Sequence, residues 1–250
     1  MNRLYLGAGI AGLLFCLLAL TPAPLLYHWL RDDWGAQVQA FGLSGNLWRG
    51  QAASLNLSGI VLQSVEWRWR PQALLLGRIS HRISAQTAGG SVQAVVSSPL
   101  LGKTLRLRSL KGSLPVEQIG PALRLPVLPF TGTLQFELQR LQLRQGKPWL
   151  AEGVLEFRNL VFSFSTPPAT LGDYRAELST AQQAIQIALS SAGGQLEAGG
   201  SGQITREGQY LLEIKLRPRA TAPPAVLSLL QPLGRPDAEG WYRLRRNGSF

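Results

Sequence analysis

The sequence predicts a mainly β protein in which an N-terminal transmembrane helix is followed by a long curved or partly closed, mostly antiparallel sheet with one or two short helices. Three observations predict it. Residues 4–30 carry no charged side chain, and residues 4–20 are almost wholly apolar. Beyond Trp34 the apolar residues recur with a period of two. Glycine-rich and proline-bearing breaks then separate these alternating runs, where turns need them.

The first element is the helix. Residues 4–20 with their flanks are long enough to cross a hydrocarbon layer of about 30 Å. Arg3 and the terminal amine precede them, while Arg31, Asp32 and Asp33 follow. The positive-inside rule therefore puts the N-terminus in the cytoplasm and the body outside, which in a Gram-negative cell is the periplasm. Tyr27, Trp29 and Trp34 are expected at the outer interface. A cleaved signal peptide ending near Thr21-Pro22-Ala23 is the competing reading, blurred by Pro22 and Pro24, and in both cases the body is exported. The expected division is an anchor over residues 1–30 and a β-rich periplasmic domain over residues 31–250. Cys16, the only cysteine, lies inside the apolar stretch, so the body has no disulfide and no thiolate chemistry.

The strands follow. Val65-Glu66-Trp67-Arg68-Trp69-Arg70 places Val and two Trp on one face and Glu and two Arg on the other. The same alternation recurs at Leu105-Arg106-Leu107-Arg108, Leu134-Gln135-Phe136-Glu137-Leu138, Leu141-Gln142-Leu143, Ile185-Gln186-Ile187 and Leu212-Glu213-Ile214-Lys215-Leu216. One face meets an apolar interior and the other meets water. Turns are expected at Gly89-Gly90, Gly102-Lys103, Gln145-Gly146, Gly193-Gly194, Gly199-Gly200 and Glu207-Gly208. Ten or more strands, mostly connected in sequence, fit the length. Short helices are expected over residues 116–123, broken by Pro121, and over residues 224–233, opened by Pro223 and Pro224 and closed by Gly234.

Composition narrows the function. Apolar residues make up 45% of the chain and charged residues 16%, too apolar for a disordered chain. A net charge of +11 raises nucleic acid, but the arginines are scattered at every second position with no interleaved aromatic platform, so no nucleic-acid partner is expected. A basic, solvated sheet face near anionic lipid accounts for the charge. His28 and His81 are the only histidines, and carboxylates such as Glu152 with Glu156, or Asp237 with Glu239, sit in solvated segments. With no phosphate loop, dinucleotide fingerprint or nucleophile elbow, the expectation is a protein that is not an enzyme and has no catalytic residue, metal or cofactor.

One stretch is distinctive. Gly45-Asn46-Leu47-Trp48-Arg49-Gly50-Gln51-Ala52 is followed by the strand bearing Trp67 and Trp69, then Pro71, then Leu74-Leu75-Leu76-Gly77. This pattern resembles the type II secretion system protein N family, also called general secretion pathway protein N. A Gly-x-Leu-Trp-x-Gly-x-Ala element there follows the anchor and leads to a strand with Trp and Pro and a Leu-Leu-x-Gly turn. The residues that match are Gly45, Leu47, Trp48, Gly50, Trp67, Trp69, Pro71 and Gly77, the candidate interaction motif of this chain. The resemblance implies a bitopic inner-membrane accessory of the machine that exports folded proteins, not an enzyme. Inner-membrane platform proteins and the outer-membrane secretin are its implied neighbours, with inner-membrane lipid met through the N-terminal helix.

Two functions from different classes follow. In the first, the body docks other secretion components through strand edges or apolar patches. In the alternative, a curved apolar sheet face handles envelope lipid, provided that the face carrying Val65, Trp67 and Trp69 is open to acyl chains.

Overall fold

The computed structural model describes Tyr5 and residues 21–25, 27–28, 38–57, 59–99, 104–122 and 127–249. Of the anchor expected over residues 1–30, only Tyr5 and residues 21–25 and 27–28 are described; Cys16 and the rest of residues 4–20 lie outside the described residues, as do Trp29, Trp34 and Gly102-Lys103. Among the described residues no helix is long and apolar enough to cross a membrane.

Alternation in the body builds one antiparallel sheet of fourteen strands. They are β1 (Val38–Phe41), β2 (Ser44–Gly45), β3 (Arg49–Leu57), β4 (Ile60–Trp69), β5 (Arg78–Thr87), β6 (Gly90–Pro99) and β7 (Thr104–Pro115). Then come β8 (Phe130–Arg144), β9 (Lys147–Phe162), β10 (Ala169–Ala181), β11 (Ala184–Gly194), β12 (Leu196–Thr205), β13 (Gln209–Pro218) and β14 (Tyr242–Ser249). From β3 onward each strand pairs with the one before and after it in sequence, while β1 and β2 share the outer edge of β3. Among the described residues the sheet does not close, β1 and β14 being the ends of its strand order, so of the curved or partly closed sheet expected the open form is found. Neighbouring strands in such sheets turn by about 20–25° against one another, which favours coiling over a flat run of this length.

Period two is conserved across bulges, and this is what joins runs that look separate in the sequence. Leu134, Phe136 and Leu138 of β8 face inward, and a register shift between Leu138 and Arg140 returns Leu141 and Leu143 to the same face. The two runs around Gln139 are therefore one fifteen-residue strand. In direct register, Phe136, Leu155, Ala176, Leu189, Gly200, Ile214 and Leu244 form one apolar row from β8 to β14.

Two turn expectations are corrected. Gly199-Gly200 lies inside β12, because a Cβ at Gly200 would stand 2.2 Å from the Glu213 carbonyl oxygen and the strands could not approach. Gly193-Gly194 closes β11, and Gln195 makes the connection. Both helical expectations hold: Val116–Gln118 and Ile119–Ala122 follow β7, and Pro224–Leu230 with Gln231–Leu233 precedes β14.

These helices cap the apolar face at one end of the sheet. Val226 and Leu230, one helical turn apart, are fully buried against Ala169, Leu171, Tyr174, Leu196 and Ala198. The Tyr174 hydroxyl donates to Leu196 O at 2.8 Å, and burial raises its pKa well above the usual phenol value. Val116 packs with Leu114 and Leu134 beside that core. A third, smaller core joins Ala52, Val65 and Ala85. At the opposite end lie the turns that follow β4, β8, β10 and β12.

Candidate functional site

The candidate motif residues meet at one corner of that opposite end. Asn46 organises it: its Oδ1 accepts from the backbone N–H of Trp48 and of Arg49, both at 3.0 Å, which tightens the turn between β2 and β3. Its backbone oxygen accepts from Trp67 Nε1 at 2.9 Å, fixing the indole of β4 over the turn. Gly50 lies beneath that ring, where a Cβ would come within 2.3 Å of Trp67 Cζ2, so no other residue allows the indole to lie there. Gly45, at φ +89°, faces the Arg49 carbonyl oxygen, which a Cβ would meet at 2.4 Å.

The turn then grips the end of β4. The Trp69 N–H donates to Trp48 O at 2.6 Å, and the two indoles are tilted at 56° with centroids 4.2 Å apart. His81 of β5, opposite Trp69, places Nε2 3.0 Å from the Leu47 carbonyl oxygen. Burial lowers the pKa of its ring, opposed by that backbone contact. Trp69 Nε1 is buried without an acceptor among the described residues. Pro71 opens the 3-10 helix Pro71–Leu76, and Gly77 closes it in the left-handed conformation at φ +65°, with its N–H on Leu74 O at 2.9 Å.

All eight candidate residues therefore share one corner, and Trp67 continues onto the small core of Ala52, Val65 and Ala85. The chain leaving the apolar N-terminal stretch arrives here too, since Pro22 forms an antiparallel bridge with Asn46. Tyr27, expected at a membrane interface, sets its hydroxyl on β1, donating to Val38 O and accepting from Ala40 N–H at 3.2 Å each.

Register reveals what the sequence concealed. On the polar face Arg49 stands opposite Arg68, and Arg68 opposite Arg82. The row continues through Val95 to Arg108 and Arg140, where Glu152 pairs with Arg140 at 2.6 Å. Like charges directly opposite one another repel, and among the described residues no ion pair relieves Arg49, Arg68 or Arg82. These arginines line an open hollow with Gln51, Glu66 and Ser84. Asn46 and His81 were also missed as functional positions; an Asn just ahead of the strand-opening N–H groups was the available signal for the first.

The carboxylates do not pair with each other. Glu156 holds Arg158 and Arg175 at 2.7 and 2.9 Å, and its hydrogen bond from Arg158 holds its carboxyl below the usual range. Asp237 accepts from the Trp241 backbone N–H and pairs with Arg243, which lowers its pKa in the same way. This arrangement leaves cations and apolar surface exposed.

The chain matches the family model described as type II secretion system (T2SS), protein N, over residues 36–245, which spans the whole corner. It is 26% identical over 222 residues to the type II secretion system protein N of Vibrio cholerae serotype O1, covering 85% of each chain. With the Klebsiella pneumoniae protein of the same name it shares 29% identity over 261 aligned residues, covering 100% of this chain and 97% of that one. The Aeromonas hydrophila counterpart is 27% identical over 218 residues, 84% of each. No solved structure matches this chain.

Proposed function

The chain belongs to the type II secretion system protein N family, and from that membership we propose that it is a non-enzymatic accessory of type II secretion that docks other secretion components. Its N-terminal helix holds it in the inner membrane with the N-terminus in the cytoplasm, and residues 31–250 stand in the periplasm. Inner-membrane platform proteins and the secretin are the partners that this placement brings within reach during export of folded proteins.

The observation that carries the docking role is the open sheet. Among the described residues β14 has one neighbour, so the backbone groups along its outer side have no strand there to pair with, and a partner strand can add. Arg243 and Arg245 turn toward Asp237 and Glu213, and Arg246 remains exposed along the edge. An edge of eight residues is long enough to give a partner register as well as affinity.

In-cell photo-crosslinking from probes at Arg246, Trp48, Trp69 and Phe136 tests this reading. Adducts between the Arg246 probe and platform proteins or the secretin are expected. Adducts to phospholipid alone from Trp69 and Phe136, with no secretion protein recovered from any position, would replace it with the lipid-handling function.

A further inference from the structure

The corner that ends β4 carries a feature that strand docking does not use. Leu74, Leu75 and Leu76 form the exposed apex of the 3-10 helix Pro71–Leu76, with Leu75 90% and Leu76 72% exposed. The apex is preformed, because the Ala73 N–H donates to Arg70 O and Gly77 closes the turn on Leu74. Arg70 and Arg78 flank it directly. Three residues before Pro71, Arg68 stands between Arg49 and Arg82 in the unrelieved row, about 10 Å from the start of the turn at the rise of an extended strand.

Among residues 38–99 the five arginines Arg49, Arg68, Arg70, Arg78 and Arg82 are accompanied by one carboxylate, Glu66. This spacing matches a lipid surface. With the apex leucines at the hydrocarbon boundary, the arginine backbones stand just beyond the phosphate layer, roughly 5–8 Å thick, and their long side chains can reach back into it. The chain emerging from the apolar N-terminal stretch reaches this same end of the sheet through the Pro22–Asn46 bridge, only two residues after Leu20.

We propose that the Leu74–Leu76 apex and the arginines Arg49, Arg68 and Arg82 form a second membrane contact that docks on anionic phospholipid and stands the sheet on its end against the bilayer. This rests on the anchored placement proposed above. An acidic polypeptide would complement the arginines but leaves three adjacent exposed leucines at the apex unexplained.

The test uses the full chain with Cys16→Ala and a polarity-sensitive fluorophore on Gln72→Cys, in the same exposed turn, or on Ala220→Cys at the opposite end. The protein is reconstituted in vesicles of phosphatidylcholine with phosphatidylglycerol, or of phosphatidylcholine alone, each containing a lipid-borne quencher. Quenching at position 72 but not at 220, confined to the anionic vesicles and reversed by high salt, is expected. The ratio of docked to undocked probe should fall about fivefold for each of Arg49→Gln, Arg68→Gln and Arg82→Gln, and also fall in Leu75→Asn.

Vesicles that float with the protein while position 72 is no more quenched than 220 would overturn this contact and leave the anchor standing. Quenching at 72 that is equal in both vesicle types and indifferent to the arginines would overturn the anionic recognition. Loss of quenching on adding an acidic polypeptide that binds the arginine row more tightly than lipid would overturn the choice of partner. Protein that floats with neither vesicle overturns the contact and the anchored placement together.

Discussion

The two halves of the sheet satisfy themselves to different degrees. From β8 to β14 the longest strands run to sixteen residues, a helix covers the apolar face, and Val226 and Leu230 are fully buried. Ion pairs cross this half from Arg140–Glu152 to Arg245–Glu213. From β1 to β6 no strand exceeds ten residues, the buried apolar side chains are Ala52, Val65, Ala85 and Ala94, and arginine faces arginine. Small buried side chains contribute little hydrophobic stabilisation, and opposed like charges subtract from it. The C-terminal half holds the fold together, and the N-terminal half keeps charge and leucine available for contact.

The sharpest way to break this contrast is at the capping helix. Leu230→Ala should cost about 4 kcal/mol, since a fully buried leucine leaves a cavity that the surrounding strands fill poorly. Urea unfolding would show it as a large fall in midpoint, and a negligible change would mean that the helix is not what secures β10 to β13. Trp67→Ala, whose ring is only half-buried, should cost about 3 kcal/mol. Its loss should also release the Asn46 turn, read as faster hydrogen exchange at Trp48 and Arg49 than at Ala198 or Leu216.

A smaller effect is expected beneath the ring. Gly50→Ala should destabilise by about 2 kcal/mol through the clash with Trp67, and the double variant Gly50→Ala/Trp67→Ala should cost less than the sum of the two single changes. Strict additivity in the unfolding free energies would show that the two positions are not in contact.

The pH dependence separates the halves further. Burial keeps the folded-state pKa of His81 below its ordinary value, so the unfolded chain takes up the proton first as pH falls. Stability from this position is full above about pH 6.5 and declines below it. His81→Gln, which still offers a donor to Leu47 O, should remove that part of the acid sensitivity in urea melts. An unchanged acid slope would assign the sensitivity elsewhere.

The smallest effect carries the sign of the comparison. Arg68→Gln relieves repulsion and should raise stability by about 0.5 kcal/mol, whereas Arg175→Gln loses its exposed pairs with Glu156 and Glu177 and should lower it by about 0.5 kcal/mol. Opposite shifts in chemical denaturation midpoint are expected, and shifts of the same sign would mean that the two halves handle charge alike.

Much of this architecture was legible because its cause is local. Val65, Trp67 and Trp69 had to share a face whatever their partners, since a strand turns over at every residue. Pro223, Pro224 and Gly234 bracketed the capping helix for reasons internal to that segment. The corner was legible as a motif, but not that Asn46 would tie Trp67 to the turn. The hairpin at Gln182-Gln183 was not legible, because both residues adopt positive φ, at +49° and +66°, with no glycine to announce it.

By itself the sequence determined the β class, the inward and outward faces of its runs, the two short helices and the resemblance carried by Gly45 to Gly77. Each depends on the chemistry of neighbours a few residues apart. Only the tertiary structure decided that the sheet stays open, that Gly200 stands inside a strand, and that Arg49, Arg68 and Arg82 align. Those depend on register between strands, where one bulge, such as the shift between Gln63 and Glu66 across β4 and β5, changes which residues stand opposite one another without changing any local pattern.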